Sequence, residues 1–218
     1  MPELPFDPWY VGGWVAAAII AGVGAWKGVS AYFKSVAEDK YGDPETVRLV
    51  TRLDEQIHEA LTQLREQCHA SRVMVFLFHN GEQFFSGSPI QRMTCSYETV
   101  QGGISSVTAD SQSMVVSLMS AVLDRMRDDT PLIWETSNIP KTFSRTRLET
   151  LNVKYFACLP LRQNKHKIIG LLKMHWMHKD EIQIDEAGET WLKGEMLKTV
   201  GKIEHLLARR LEVSGAHS

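Results

Sequence analysis

Cysteine is scarce in the 218-residue sequence, which contains only Cys68, Cys95 and Cys158. An odd number of widely spaced cysteines forms no disulfide framework, and their spacing matches no zinc motif. The sequence therefore does not belong to the small disulfide-rich or zinc-finger classes. Sparse cysteine is typical of a protein in a reducing compartment.

An excess of basic charge is also lacking, since 24 Lys and Arg stand against 26 Asp and Glu, for a net charge of −2. No basic stripe is present, so we expect no nucleic-acid partner. A P-loop, a His-Glu-x-x-His pair and a Gly-x-Ser-x-Gly elbow are missing too. The sequence thus predicts a protein that is not an enzyme, with no catalytic residue and no metal site, and it leaves any cofactor unknown.

Charged side chains are absent from residues 8–26. As a helix this run is roughly 28 Å long at ~1.5 Å per residue, which is close to the ~30 Å of a bilayer core. The only lysines that flank it, Lys27, Lys34 and Lys40, follow it. The positive-inside rule then predicts a single-pass transmembrane helix in the inner (cytoplasmic) membrane, with the C-terminal domain in the cytoplasm.

The predicted transmembrane helix covers residues 9–33, after a short tail at residues 1–8. Small residues recur at every fourth position and form one face that another helix could approach closely: Gly13, Ala17, Ala21 and Ala25. A cleaved signal peptide is the main alternative, because residues 29–31 could serve as a cleavage site. The N-terminal region carries no Lys or Arg, which favours the retained anchor.

A juxtamembrane linker and a connecting helix are predicted over residues 34–70. Asp43 can cap this helix, with Pro44 at its first position. Apolar residues follow a short heptad pattern: Val50, Leu53, Ile57 and Leu64. Two interpretations remain open: the helix packs on its own domain, or it forms a parallel dimer stalk. The stalk, together with the small-residue face of the anchor, predicts a homo-oligomer.

The domain predicted over residues 71–213 alternates strands with helices before a short tail at 214–218. The predicted strands cover residues 72–78, 90–98, 131–134, 153–161 and 168–176. Asn80-Gly81 is predicted to end the first strand in a turn. Helices are predicted from Asp110 to about Arg127 with a Met-rich core face, over residues 143–151, and after Asp185. This order indicates an α+β fold, a mostly antiparallel sheet flanked by helices.

The segments Leu151–Leu161 and Ile168–Leu172 resemble the end of a GAF domain, where a strand with Pro-Leu leads through a hairpin to an Ile-Gly-Leu-Leu strand. Pro131–Trp134 is similar to the strand that precedes the short helix in that family, and Phe78–Gly81 is similar to a segment of short GAF-like proteins of bacteria and phages. The resemblance implies a sensory or dimerising module with a pocket between sheet and helices, and no catalysis. The Asn-Lys-Phe-Asp-Glu signature of cyclic-nucleotide GAF domains and the bilin-attachment pattern are missing.

Polar residues at the end of the first strand and on its predicted neighbour are the best candidates for a ligand pocket: His79, Asn80, Ser96, Tyr97 and Glu98. The structural alternative is a turn at Asn80-Gly81 with His79 at an exposed strand end.

Two functions follow as expectations. The first is a membrane-tethered, non-catalytic sensory, regulatory or dimerisation module. The second is a structural or assembly protein of a membrane-bound complex, of bacterial or phage origin, that uses the fold only for packing. No output domain follows the last predicted helix, so a sensor would have to signal to a separate protein partner, which weighs against the first function.

Overall fold

The structure is a computed structural model, and it describes residues 43–83, 89–124, 131–178, 182 and 185–215. The predicted transmembrane helix over residues 9–33, its small-residue face and its flanking lysines lie outside these ranges. Among the residues that are described, no helix is both long and apolar enough to cross a bilayer.

The chain divides into two compact units, Met1–Leu49 and Val50–Ala216. Helix α1, Pro44–Gln67, begins in the first unit. Its start follows the prediction, because Asp43 Oδ1 accepts hydrogen bonds from the backbone N–H groups of Glu45 at 2.8 Å and Thr46 at 3.3 Å. These bonds satisfy donors that a helix N-terminus would otherwise leave unpaired.

The second unit is built on a six-stranded antiparallel sheet. Its spatial order is β3-β2-β1-β6-β5-β4. The strands are β1 Arg72–Gln83, β2 Pro89–Val100, β3 Met114–Val115, β4 Leu132–Glu135, β5 Tyr155–Gln163 and β6 Lys167–Trp176. The remaining helices are α2 Ser120–Leu123, α3 Phe143–Thr150 and α4 Glu186–Gly215. The α+β class and the antiparallel sheet flanked by helices are therefore as predicted.

Each face of the sheet has its own apolar core, because side chains alternate between the faces of a strand. Val73 and Val75 of β1 pack with α1 and α4 on one face. Met74 and Phe76 pack on the other face, with α3 and with the segment that follows β2. We call these the helix face and the cavity face of the sheet.

The predicted stalk residues lie largely inside the core of the helix face. Leu53, Ile57 and Leu64 are buried there against the same chain, and Val50 is half-buried. This burial supports the interpretation in which the helix packs on its own domain. The three buried side chains do not form an exposed heptad seam.

The turn predicted at Asn80-Gly81 is wrong, because β1 continues to Gln83. His79 pairs with Arg92, and Asn80 pairs with Gln91. Hydrogen bonding along a full-length partner strand thus overrides the local turn preference of Asn-Gly. Residues 84–88, which follow β1, lie outside the described residues.

The long helix predicted from Asp110 is also wrong. The segment holds 3₁₀ turns at Ala109–Ser111 and Val116–Met119, strand β3 between them, and the four-residue helix α2. Met114 pairs with Met93 of β2, and Gln112 Nε2 donates to the carbonyl oxygen of Cys95 at 3.2 Å. Contacts with β2 therefore replace those of a helix, although the methionine-rich stripe still supplies core residues.

Elements nearer the C-terminus follow the prediction closely. The hairpin between β5 and β6 turns through Asn164 and Lys165, both in the left-handed region at φ 53° and 64°. Pro160 lies beyond the last residue of β5 that pairs with β4, which suits a residue without an N–H group. Asp185 Oδ1 accepts from the Gly188 N–H at 2.7 Å and caps α4.

Candidate functional site

A β-bulge in β2 separates the residues predicted to form one pocket. Val75 pairs with Tyr97 while Phe76 pairs with Cys95, so Ser96 is the extra residue. Tyr97 then packs on the helix face, whereas Ser96 is exposed. Glu98, as the next residue, points to the cavity face, where it contacts Arg72.

His79 and Asn80 lie at the exposed far end of β1. His79 Nε2 is 2.9 Å from the hydroxyl of Thr94 on the neighbouring strand. The structure thus does not bring the five predicted pocket residues together. Only Tyr97 and Glu98 have buried side chains, and they serve opposite faces of the sheet.

Tyr97 joins three elements on the helix face. Its hydroxyl donates to Asp54 Oδ1 of α1 at 2.5 Å, and Arg210 Nε of α4 lies 2.9 Å from the same oxygen. Its ring also contacts His58 edge-on, with 5.3 Å between centroids. Burial raises the pKa of the Tyr97 phenol, and the bond to Asp54 raises it further, so the hydroxyl remains a donor.

A cavity of about 40 Å³ lies on the opposite face, between the sheet and helix α3. Its walls are mostly apolar and include Met74, Phe76, Met119, Leu148 and Phe156. A few polar residues share this lining: Ser111, Ser144, Arg147, Lys173 and His175. An apolar pocket with a few convergent polar groups is the usual form of a small-molecule site.

Strand and helix periodicity bring these polar groups together. Lys173 and His175 are two residues apart on β6, so both face the cavity while Leu172 and Met174 face the other core. On α3, Ser144 and Arg147 are three residues apart and share one face of the helix. The Ser144 hydroxyl donates to the Leu118 carbonyl oxygen at 2.9 Å.

Lys173 is the least expected of these residues. Only 6% of it is exposed, and it forms no ion pair with a carboxylate among the described residues. Its Nζ lies 4.3 Å from the centroid of the Phe76 ring and 3.8 Å from Met119 Sδ. Burial lowers the pKa of this amine below its usual 10.5, because the charged form loses its hydration.

His175 is 5% exposed, and its Nδ1 has no hydrogen-bond partner in the part of the chain that is described. Burial lowers its pKa well below 6.5, and the nearby charges of Arg72, Lys173 and Arg147 lower it further. The imidazole is therefore neutral at pH 7. A buried polar atom without a partner is unusual in a folded protein.

Arg72 and Glu98 form a buried ion pair beside the cavity, with 2.9 Å between Nε and Oε1 and side chains 2% and 5% exposed. Glu98 also accepts bonds from the hydroxyl of Ser106, the N–H of Val107, and the N–H and hydroxyl of Thr108. Burial alone would raise the pKa of Glu98, but these bonds and Arg72 together lower it below its usual value. The carboxylate is thus fully engaged.

Arg147 reaches the cavity from α3. One of its guanidinium nitrogens, Nη2, donates to the carbonyl oxygen of Asp110 at 3.2 Å and to the hydroxyl of Ser111 at 2.8 Å. Both acceptors are neutral. Among the described residues, the basic groups in or beside the cavity, Arg72, Arg147 and Lys173, thus outnumber the one carboxylate, Glu98.

The described residues offer neither a metal site nor a reactive thiol. Within the described ranges, no cluster of three His, Cys, Asp or Glu could hold a metal ion. Burial raises the pKa of both Cys95 and Cys158 to about 11, so both are protonated thiols near pH 7. Neither thiol is therefore an activated nucleophile at neutral pH.

The sequence prediction missed the polar residues that line the cavity, Ser111, Ser144, Arg147, Lys173 and His175, and also missed Arg72 beside it. One available signal was a charged residue inside an otherwise apolar strand, such as Lys173 among the residues of β6. A buried lysine at such a position is rare enough to indicate a specific role.

Comparisons with known proteins agree with this architecture. The blue-light absorbing form of the Thermosynechococcus elongatus PixJ GAF domain is similar at a TM-score of 0.53 and 14% identity, over 80% of this chain and 96% of that one. A phycocyanobilin-bound GAF domain from a cyanobacterial phytochrome has a TM-score of 0.56 and 14% identity, over 76% and 93%. The GAF domain/HD domain protein from Geobacter sulfurreducens has a TM-score of 0.51 and 13% identity, over 73% and 96%.

At these identities the likeness establishes the fold alone. No curated protein matches the sequence significantly. The family model of the GAF domain matches residues 52–193, well over half of the sequence. The chain therefore belongs to the GAF domain family.

Proposed function

We propose that this protein is a membrane-tethered, non-catalytic sensory module that binds a small molecule in the cavity between its sheet and helix α3. The observation that carries the proposal is Lys173, a buried amine without a carboxylate partner among the described residues, at the wall of an apolar cavity. Burying such a charge is costly unless a partner compensates it. A bound ligand would supply that compensation.

The similar GAF domain of a cyanobacterial phytochrome is described as phycocyanobilin-bound. A pocket for a drug-sized molecule occupies ~300–1,000 Å³. The cavity here, at about 40 Å³, is much smaller. We therefore propose a ligand of only a few non-hydrogen atoms.

A route for the signal is part of the proposal. Glu98 faces the cavity side and Tyr97, its neighbour, contacts Asp54 of α1 and, through it, Arg210 of α4. A shift of β2 caused by ligand would alter this contact on the opposite face. The helices would then present the change to a second copy of the chain or to a separate protein partner.

Two further observations support association and tethering. Trp191, Leu197 and Leu211 on α4 are each about half exposed, so these apolar side chains are available to a partner surface. The uncharged run at residues 8–26, followed by lysines, supports the single-pass anchor in the cytoplasmic membrane.

Native mass spectrometry of the purified full-length protein tests the proposal. We expect a retained small molecule in the parent. Leu148→Phe, which adds bulk at the cavity wall, should release it. Leu206→Phe is the matched control, because Leu206 is equally buried in the other core, and it should retain the molecule.

A structural or assembly protein is the second candidate. The small volume of the cavity and its methionine and phenylalanine walls favour it, since a nearly filled core serves packing well. A parent protein that retains no small molecule, in the same experiment, would support this candidate over sensing.

A further inference from the structure

The charges around the cavity do not balance. Glu98 offsets only Arg72, and its remaining lone pairs are occupied by Ser106, Val107 and Thr108. Lys173 and Arg147 line the same cavity, and each lowers the pKa of nearby His175 by repulsion. Neither has a carboxylate partner within the described ranges.

The cavity therefore lacks a negative charge near Lys173 and Arg147 among the described residues. Two cations at one low-dielectric cavity repel each other, and an anion between them would remove that repulsion and restore lost hydrogen bonds. Ammonium and guanidinium groups both form strong charge-assisted bonds with carboxylates. The neutral His175 can add a hydrogen bond through Nδ1, which has no partner among the described residues.

Size and polarity narrow the class of anion. A cavity of about 40 Å³ has room for only a few non-hydrogen atoms. Most of its wall is apolar, formed by Met74, Phe76, Met119, Leu148 and Phe156. A phosphate or sulfate would leave most of its oxygens against carbon, whereas a short alkyl chain fits this wall. Methionine side chains can also adjust to one more or one fewer methylene group.

We propose that the cavity binds a short-chain monocarboxylate, with its carboxylate between Lys173 and Arg147 and its alkyl group against the apolar wall. This inference rests on the proposed sensory function and names the ligand class of that same site. Lys173 also makes the site selective for charge, because a neutral analogue would leave the buried amine uncompensated.

Isothermal titration of the full-length protein with sodium propionate tests the proposal at constant ionic strength. We expect saturable one-to-one binding by the parent, and at least tenfold weaker binding of propionamide, which has a similar shape without charge. Chloride and inorganic phosphate should not compete. These comparisons need no variant, so they hold even where a substitution disturbs folding.

Lys173→Met then tests the assigned residue, because methionine is similar in length, apolar and compatible with a buried site. It should weaken propionate binding at least tenfold. Lys167→Met is the matched control, since Lys167 lies on the same strand but is exposed, and it should bind as the parent does.

Other outcomes overturn the inference. Equal binding of propionamide, competition by chloride or phosphate, or unchanged affinity in Lys173→Met would remove the carboxylate assignment. An absence of propionate binding would do the same. A different molecule retained in native mass spectrometry and released by Leu148→Phe would leave the sensory function standing without this ligand, so the two failures can be told apart.

Discussion

Replacing Glu98 with Gln removes the one carboxylate that pairs with Arg72 among the described residues. Both side chains are almost fully buried, with 2.9 Å between Nε and Oε1. Gln retains one acceptor oxygen for Ser106, Val107 and Thr108, but places an uncharged group, or an N–H donor, against the guanidinium. Breaking a buried ion pair by removing one partner costs about 3–5 kcal/mol, and we expect Glu98→Gln to lower the free energy of unfolding by that amount.

Urea titration followed by circular dichroism at pH 7 measures this loss. Glu149→Gln is the matched control, because Glu149 forms an exposed pair with Arg145 at 2.7 Å, with 52% of its side chain accessible. An exposed i,i+4 pair of this kind contributes about 0.3–0.5 kcal/mol. Replacing Glu by Gln should therefore lower the free energy of unfolding much more at position 98 than at position 149.

The pH dependence follows from the lowered pKa of Glu98 in the folded protein. A depressed carboxyl pKa stabilises the fold fully above the unfolded value of about 4.3, and this stability is lost as pH falls through the folded-state pKa. The gap between parent and Glu98→Gln should thus be constant near pH 7 and shrink below pH ~4. A loss under about 1 kcal/mol at pH 7, or a gap that is independent of pH, would refute the assignment of a charged buried pair.

Three further predictions address the core, a close approach and the anchor. Leu159→Ala and Leu171→Ala should each cost ~2–5 kcal/mol in urea titration, since both residues are at most 1% exposed; losses under about 0.5 kcal/mol would contradict their central place in the sheet. Gly170→Ala should destabilise the protein strongly, because the added Cβ would lie 2.2 Å from the carbonyl oxygen of Phe76 on β1. Gly201→Ala is the control, since that position on α4 faces open space, and it should stabilise the protein by ~0.5–1 kcal/mol. Equal effects of the two changes in urea titration would show that Gly170 does not approach β1 this closely. Deleting residues 1–33 should move the protein from the membrane to the soluble fraction, and continued full membrane association would contradict the predicted anchor.

Strands β1, β5 and β6 were predictable because a long part of each is buried on both faces. The residues of β1, β5 and β6 form nearly continuous apolar runs, which single out central strands without any knowledge of their partners. Caps at Asp43 and Asp185 marked helix starts in the same local way. Apolar runs and capping residues were thus enough to predict the elements that contain them.

The helix prediction for the segment after β2 was wrong because the conformation of this segment depends on residues elsewhere in the sequence. Spacing of methionine and leucine over residues 114–126 is typical of a helix, yet Glu98 binds the backbone at Val107 and Thr108 and directs the chain back along β2. Arg147 then binds Ser111 from α3. The partners that decide the conformation of this region are 9 to 36 residues away along the chain, beyond the reach of a local helical pattern.

The candidate site was missed for a related reason. Periodicity tells which residues of a strand share a face, but it does not tell which face covers a cavity, and the bulge at Ser96 reverses the alternation within β2. Without that extra residue, Tyr97 and Glu98 would exchange faces. The bulge therefore places Glu98 on the cavity face, beside Arg72, and Tyr97 against α1 and α4, so that one peptide unit connects the two cores. A sheet buried on both faces needs such a connection if an event in the cavity is to reach the helices.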